Sequence, residues 1–117
     1  MKLPHIEQAD IPMAKIVEYL LSVTHPGGFG KALFFRRYGF RTESWEVLAA
    51  ALRRHAIDHE VRKREVARFG ERFVVEGEIA TPDGRRPMVR SVWFIERGEE
   101  IPRFVTAYPL PKPRPAT

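Results

Sequence analysis

The chain has 117 residues, of which 44 % are apolar and 30 % are charged, with a net charge of +5 and a sequence pI near 10.0. This length is sufficient for a single domain with one core, and the composition is that of a globular protein, which excludes a disordered chain. Because cysteine is absent, a disulfide framework, a thiolate nucleophile and a cysteine-rich zinc site are excluded as well.

The N-terminal part of the chain has the spacing of an amphipathic helix. Positions 13, 16, 17, 20 and 21 are apolar and follow the i, i+3, i+4, i+7, i+8 pattern. We predict a first helix with Asp10 as its N-cap and Pro12 in its first turn. Since proline and glycine commonly end helices, this helix should stop at residues 24–27.

Two further helices are predicted before residue 59. The second helix runs from about residue 30 to residue 38, with Gly39 in the left-handed capping conformation and Phe40 packing back on the helix. The third helix is capped by Thr42 and carries acidic residues near its positive N-terminal end. Its apolar face is formed by Trp45, Leu48, Ala49, Leu52 and Ala56.

After His59 the apolar pattern changes to a period of two, which indicates strands. We predict strands at residues 72–80, 88–96 and 103–108, and a weaker, charged edge strand at 61–69. Prolines at 109, 111, 113 and 115 predict that the sheet ends there and that residues 109–117 form an extended tail. The predicted fold class is α+β, a single domain over residues 1–117 in which about three N-terminal helices pack on a three- or four-stranded antiparallel sheet.

The segment THPGGFGKALFF, residues 24–35, joins the first two helices. It does not match the phosphate-binding motif G-x-x-x-x-G-K-[ST], because position 25 is His25 and the residue after Lys31 is Ala32. Glycines that lead into a helix still expose N–H groups, which together with Lys31 could hold one phosphate. The alternative is a tight bend that happens to carry a lysine. His25 is either a general acid or base, or a residue that interacts with the carbonyls at the helix end.

Polar residues interrupt the best predicted strands. Arg90, Ser91 and Trp93 lie on one strand, and Thr106 and Tyr108 lie on the next. Such residues form either an exposed functional face or an ordinary solvated sheet face. The strand register decides whether Arg90 or Ser91 lies beside Tyr108.

His55 and His59 have a spacing that is found in metal sites on helices. No further motif supplies a third ligand, and the two rings need not share a face of the helix. We therefore predict no metal site and no cofactor.

A series of short motifs covers nearly the whole chain. It consists of Lys15, Tyr19-Leu20-Leu21, His25-Pro26-x-Gly28-x-x-Lys31-Ala32-x-x-Phe35, Gly39-Phe40, Phe69-Gly70, Arg90-x-x-Trp93 and Pro102-Arg103-x-x-Thr106-Ala107-Tyr108-Pro109. This series resembles a small bacterial family catalogued only as a domain of unknown function. In element order and motif placement that family is similar to the barnase–EndoU–colicin–RelE group of toxin nucleases.

The resemblance implies an endoribonuclease toxin that needs no metal and that cleaves RNA through its own 2′-hydroxyl. His25 would act as an acid or base, and Lys31 and Arg90 would stabilise the negative charge that develops on phosphorus. Thr106 and Tyr108 would orient the phosphate. Contacts to RNA are also expected from Gly28, Gly30 and Trp93. We expect His25 and Lys31 to face the sheet near Arg90 or Ser91 and Tyr108.

The expected partners are RNA, as substrate, and a small acidic antitoxin or immunity-type protein. The basic charge agrees with both, since it favours polyanions and acidic proteins. The alternative function is a non-catalytic module that binds a protein or RNA through the same basic groove. An N-terminus without an apolar signal-peptide core, and the lack of any long apolar run, favour a cytoplasmic protein. The absence of asparagine and the ratio of fifteen arginines to five lysines favour a thermophilic or GC-rich source.

Overall fold

The computed structural model describes residues 1–111, in which three helices precede one four-stranded antiparallel sheet. The first helix, α1, is an α-helical turn at Met13–Lys15 that continues as a π-helical segment at Ile16–Leu20. The others are α2 (Phe29–Arg37) and α3 (Trp45–Asp58), and short 3-10 turns lie at Ile6–Gln8 and Thr42–Ser44. The strands are β1 (Val61–Ala67), β2 (Gly70–Glu78), β3 (Met88–Glu96) and β4 (Arg103–Pro109), in that order across the sheet. The α+β prediction is confirmed.

The helices cover one face of the sheet. The α3 helix packs across β2 and β3, whereas α1 and α2 lie against β4 at the edge of the sheet. Buried apolar residues from both layers form the core, among them Leu20, Phe35, Leu48, Leu52, Val75, Trp93 and Phe104. Within residues 1–111, no helix is long and apolar enough to cross a membrane.

The predicted start of the first helix is wrong, because Asp10 belongs to the sheet edge. The Asp10 amide donates a hydrogen bond to the Pro102 carbonyl at 2.9 Å, and the Asp10 carbonyl accepts one from the Phe104 amide at 2.8 Å. Pro12 has an extended backbone, so the helix starts only at Met13. Pairing with β4 therefore determines the conformation of Asp10, which the sequence analysis predicted to be an N-cap.

The turn between α2 and α3 agrees with the prediction at Gly39 and differs at Thr42. Gly39 has a φ of 102°, and the Phe40 amide donates to the Phe35 carbonyl at 3.2 Å, as in a glycine-terminated helix. Phe40 is buried with its ring 6.0 Å from that of Phe35. Thr42 is not an N-cap, because it is the first residue of a 3-10 turn and its hydroxyl accepts a hydrogen bond from Arg36 at 2.9 Å.

The register of β3 and β4 decides which residues share a face. Arg90 pairs with Tyr108, and Val92 pairs with Thr106. Because side chains alternate along strands, Arg90, Thr106 and Tyr108 lie on the face opposite the helices, and Ser91 points towards the core. A register irregularity follows Val92, so that Trp93 pairs with Phe104.

The sheet extends one residue further than predicted. Pro109 pairs with Val89, and the next amide, that of Leu110, donates to the Met88 carbonyl at 3.0 Å. Proline is compatible with this position because β4 is an edge strand. The predicted tail therefore begins after Pro109, and its residues 112–117 lie outside the described part of the chain.

A buried hydrogen-bonded chain ties α3 to the sheet through His55. The Trp93 indole N–H donates to Ser91 Oγ at 2.9 Å, and Ser91 Oγ lies 3.0 Å from His55 Nδ1. His55 Nε2 lies 3.1 Å from the carbonyl oxygens of both Gly77 and Val89. Since carbonyls only accept, Nε2 carries a proton. Burial lowers the pKa of His55 to about 4, so near neutral pH the ring is neutral, Nδ1 accepts from Ser91, and both nitrogens are hydrogen-bonded.

The tight corner between α1 and α2 depends on a glycine. A Cβ at Gly28 would lie 2.1 Å from the Tyr19 carbonyl oxygen, whereas a Cβ at Gly30 would meet nothing within 4 Å. The Gly28 amide donates to the His25 carbonyl at 3.0 Å, and the Ala32 amide donates to the Gly28 carbonyl at 2.8 Å. Gly28 thus allows α2 to begin in contact with the end of α1.

We expect stability to depend on pH through His55. Burial lowers the pKa of His55 from 6.5 to about 4. Between these values the unfolded chain binds a proton that the folded protein excludes, so the free energy of unfolding should fall as pH decreases from about 6.5 to about 4. The full loss should be about 3 kcal/mol. Urea unfolding at a series of pH values measures it.

In that experiment His55→Gln should remove most of the pH dependence, because glutamine retains one donor and one acceptor without titrating. His59→Gln is the control, since the His59 side chain is less buried and, in the described part of the chain, is hydrogen-bonded only to the Glu78 carbonyl. An unchanged pH dependence in His55→Gln would contradict the prediction.

The two glycines should respond oppositely to alanine. Gly28→Ala should lower the free energy of unfolding by about 1–3 kcal/mol, because the methyl group collides with backbone. Gly30→Ala should raise it by about 0.5–1 kcal/mol, because alanine is the better helix former and has space there. Urea unfolding of the pair tests this, and equal stabilities would count against the assigned role of Gly28.

Candidate functional site

Five polar and aromatic side chains meet where the α1–α2 corner crosses the β4 edge of the sheet. We call this set the Lys31–Arg90 cluster, and it consists of Tyr19, Lys31, Arg90, Thr106 and Tyr108. Tyr19 comes from the π-helical segment of α1 and Lys31 from the first turn of α2, while the other three come from β3 and β4. All five side chains are half-buried, so their polar atoms are held in place and remain accessible.

Lys31 is the centre of the cluster. Its ammonium donates hydrogen bonds to the Tyr19 hydroxyl and, at 3.1 Å, to Thr106 Oγ1. The same nitrogen lies 4.8 Å from the centroid of the Tyr19 ring and 5.9 Å from that of Tyr108. The two hydroxyls are themselves 3.0 Å apart. Lys31 therefore joins the helical corner to the edge strand.

The environment of Tyr19 favours loss of its proton. Burial raises the pKa of Tyr19, but hydrogen bonds with Lys31 and Thr106 and the charges of Lys31 and Lys15 outweigh burial, so that the pKa falls below its ordinary value of 10.0. Lys15 reaches the same region, since its ammonium donates to the Val105 carbonyl at 3.2 Å and lies 5.5 Å from the Tyr19 ring centroid.

Arg90 occupies the opposite end of the cluster. Its Nη1 donates to the Tyr108 hydroxyl at 3.1 Å, and its guanidinium carbon lies 5.4 Å from the ring centroid of Tyr108. The Nε and Nη2 atoms contact the Glu76 carboxylate at 2.6 and 2.5 Å. Hydrogen bonds with Tyr108 and Glu76 raise the pKa of Arg90 above its ordinary value. The guanidinium is therefore a fixed, well-oriented cation that Glu76 partly neutralises.

A concave surface that encloses a volume of about 370 Å³ extends from Arg90 across the open face of the sheet. Its lining residues are Arg62, Lys63, Arg72, Val74, Glu76, Arg90 and Tyr108. Four of these seven residues are cationic and one is anionic. Lys63 and Arg72 pair with the neighbouring Glu65, and Arg62 and Arg90 pair with Glu76, so the four cations still outnumber the two carboxylates and the surface favours an anion.

Among residues 1–111, His25 contacts the cluster only through Tyr19. The two rings meet edge to face with centroids 5.1 Å apart, and both residues line a shallow cavity of about 320 Å³. His25 Nδ1 accepts a hydrogen bond from the Gly27 amide at 3.0 Å. Nδ1 is thus occupied as an acceptor, and Nε2 is the nitrogen left to exchange a proton with a ligand. The side chain is exposed.

Two residues expected to contact RNA are not accessible. Trp93 is 0 % exposed and packs in the core, which excludes the predicted contact with RNA. Gly28 is buried against the Tyr19 carbonyl, so its role is to allow close packing of the corner. Gly30 is exposed in the first turn of α2. Ser91 belongs to the buried His55 network, which leaves Arg90 as the strand residue beside Tyr108.

The H-x-x-x-H spacing is explained by packing. The rings of His55 and His59 lie 5.0 Å apart, and the His59 ring covers Gly77 so closely that a Cβ there would lie 2.4 Å from it. Both nitrogens of His55 are already hydrogen-bonded. Among residues 1–111, no three histidine, aspartate or glutamate side chains are grouped so as to hold a metal ion.

Sequence reasoning gave no role to Tyr19 or Glu76. Tyr19 occurs in the motif series just before the glycine-rich corner, which was the available signal. Glu76 is an acidic residue within an otherwise apolar stretch of β2, and its pairing with Arg90 follows from the β2–β3 register. That register is a tertiary property that the residue pattern alone does not determine.

The chain is similar in fold to a solved structure titled contact-dependent growth inhibition toxin–immunity protein complex, from Klebsiella pneumoniae 342. The match has a TM-score of 0.67 and 18 % identity, and it covers 87 % of this chain and 100 % of the matched chain. At this identity the likeness shows a shared fold. No curated protein matches the chain. The family model described as domain of unknown function (DUF6883) matches residues 2–111, and the chain therefore belongs to the DUF6883 family.

Proposed function

We propose that this chain is a metal-independent endoribonuclease toxin whose active site is the Lys31–Arg90 cluster together with His25. The observation that carries the proposal is the convergence of two cations, Lys31 and Arg90, on the hydroxyls of Thr106 and Tyr108. Cleavage of RNA through its 2′-hydroxyl passes through a phosphorane with extra negative charge. Two fixed cations beside neutral hydroxyl donors match that charge.

The cations retain donors for a phosphate. A lysine ammonium has three N–H groups, and Lys31 directs two of them to Tyr19 and Thr106 within the described part of the chain. An arginine has five, and the contacts of Arg90 in residues 1–111 use one N–H on each of its three nitrogens. One donor on Lys31 and two on Arg90 thus remain for phosphate oxygens, while their existing bonds orient them.

The supporting groups have separate tasks. The hydroxyls of Thr106 and Tyr108 orient the phosphate, and the exposed Nε2 of His25 transfers a proton. Lys31 and Arg90 supply the positive charge that a metal ion supplies in other nucleases. The basic surface beyond Arg90 holds the adjoining backbone of the RNA.

We further propose a protein partner of the antitoxin or immunity type. Two observations support it: the solved structure of similar fold is titled a toxin–immunity protein complex, and the chain carries a net charge of +5. A cell that makes a toxic ribonuclease needs an inhibitor, and a small acidic protein complements this charge. Such a partner would bind over the Lys31–Arg90 cluster or beside it.

We expect purified protein to cleave RNA in the presence of EDTA. Substitutions in the Lys31–Arg90 cluster and at His25 should slow this cleavage. Lys31→Ala and Arg90→Ala should each lower kcat/KM by about 10²- to 10³-fold, because each removes charge stabilisation of the transition state. His25→Ala should lower it by at least about 10²-fold, as expected of a proton-transfer group. Gel analysis and initial rates on mixed RNA measure these losses.

The matched control is Arg54→Ala, which removes an exposed cation on α3 that pairs only with Asp58 in the described residues. It should cleave RNA at the wild-type rate. If wild-type protein free of any partner leaves mixed RNA intact between pH 5 and 9, the catalytic proposal fails. The alternative function, a non-catalytic binding module, would then be favoured. In that case Glu76 would balance the charge of Arg90 until a partner binds.

A further inference from the structure

Cleavage through the 2′-hydroxyl requires one group that removes a proton and another that supplies one. His25 is the only histidine at the site among the described residues, since His55 is buried and neutral, His59 lies over Gly77, and His5 precedes the Ile6–Gln8 turn. A second proton-transfer group must therefore come from another residue type. The side chain that the arrangement singles out is Tyr19.

The Tyr19 oxygen occupies a position that stabilises a phenolate. An ammonium can only donate, so the oxygen accepts a hydrogen bond from Lys31. Thr106 Oγ1 is 3.0 Å away and can turn its own proton towards Tyr19 when Tyr19 has lost one. Both donors that a phenolate requires are thus already in place, and ionisation needs no rearrangement of heavy atoms.

The charges around Tyr19 also favour the anion. On α1 it is flanked by Lys15 and Glu18, in the corner by His25, on α2 by Lys31, and on the sheet side by Thr106. Tyr108 and, beyond it, Arg90 complete the surroundings. Glu76 offsets Arg90, so that Lys15 and Lys31 face one further carboxylate, that of Glu18, and the lowered pKa of Tyr19 agrees with this balance.

We propose that Tyr19 is the general base of the cleavage reaction and that His25 is the general acid. This assignment rests on the proposed function. His25 packs edge to face with the Tyr19 ring at a centroid distance of 5.1 Å, while Lys31 and Thr106 contact the Tyr19 oxygen. Tyr19 and His25 line the same shallow cavity, so both proton-transfer groups border one part of the surface.

The proposed step balances without any further reactant. The Tyr19 phenolate takes the proton of the RNA 2′-hydroxyl, and the 2′-oxygen forms a bond to phosphorus. The bond from phosphorus to the 5′-oxygen breaks, and His25 gives its Nε2 proton to that oxygen from the protonated form, in which Nδ1 also carries a proton and has released the Gly27 amide. The products are a 2′,3′-cyclic phosphate and a free 5′-hydroxyl, with tyrosine and imidazole both neutral. Proton exchange with water restores both groups.

The two roles are separated by changing the leaving group. On RNA, Tyr19→Phe and His25→Ala should each lower kcat/KM by at least about 10²-fold. On ribonucleoside 3′-(4-nitrophenyl) phosphates, the leaving 4-nitrophenolate needs no proton. There His25→Ala should lose less than about 10-fold, whereas Tyr19→Phe should still lose about 10²-fold. The nitrophenyl substrates thus identify His25 as the acid. Because a structural role for Tyr19 would also lower both rates, the titration described next is needed to separate that role from a general base.

A second readout does not need activity. Alkaline titration followed by phenolate absorbance should show one tyrosine ionising below the ordinary pKa of about 10. That titration should disappear in Tyr19→Phe and move upwards in Lys31→Met. Tyr38→Phe is the control, because Tyr38 lies under Arg85, away from the cluster, and its removal should leave the low titration intact.

The outcomes distinguish this assignment from the proposed function. Wild-type protein that leaves RNA intact would overturn both. Wild-type cleavage that Tyr19→Phe does not slow would overturn the assignment of Tyr19 alone. The assignment also fails if no tyrosine titrates below its ordinary pKa, or if the loss in Tyr19→Phe vanishes on the nitrophenyl substrates.

Discussion

The close approach of Gly28 to the Tyr19 carbonyl is the contact on which the site depends. It allows α2 to begin directly against the end of α1, and Lys31 is then one turn into α2, within reach of the Tyr19 hydroxyl and of Thr106 on β4. A longer or looser corner would leave Lys31 free to point into solvent. Local backbone packing therefore fixes the position of the central cation, and the sheet supplies its partners.

The positive charges of Lys31 and Arg90 are stabilised by hydroxyl groups, aromatic rings and one carboxylate. Lys31 is stabilised by two hydroxyl oxygens and two aromatic rings, and Arg90 by Glu76 and Tyr108. Aromatic faces attract cations, and this attraction offsets part of the repulsion between two positive charges that lie close together. A phosphate that enters would replace water around the cations and meet donors that are already oriented. This preorganisation is the physical basis of the proposed catalysis.

The sequence predicted the order of helices and strands well, because helical and alternating periodicity and the glycine stop at Gly39 are local signals. It failed where tertiary contacts decide. Asp10 pairs with the edge of β4, and Thr42 accepts a bond from Arg36. Trp93 was expected on an exposed face because alternation is unclear in β3, where Val92 on the open face is as buried as the core side chains. Which of Arg90 and Ser91 accompanies Tyr108 depended on register, and Tyr19 gained its significance only from contacts with distant residues.

Adjacent residues of β3 serve two systems on opposite faces of the sheet. Ser91 belongs to the buried network of His55 and Trp93, and Arg90 belongs to the cluster. Acid therefore acts on the protein in two independent ways: protonation of His55 opposes folding, and protonation of Tyr19 removes the proposed base. Because the two groups share no hydrogen-bond partner among the described residues, substitutions at one should add to those at the other. Loss of activity as the pH falls can thus be assigned to unfolding or to chemistry by comparing wild-type protein with a variant that cannot titrate at position 55.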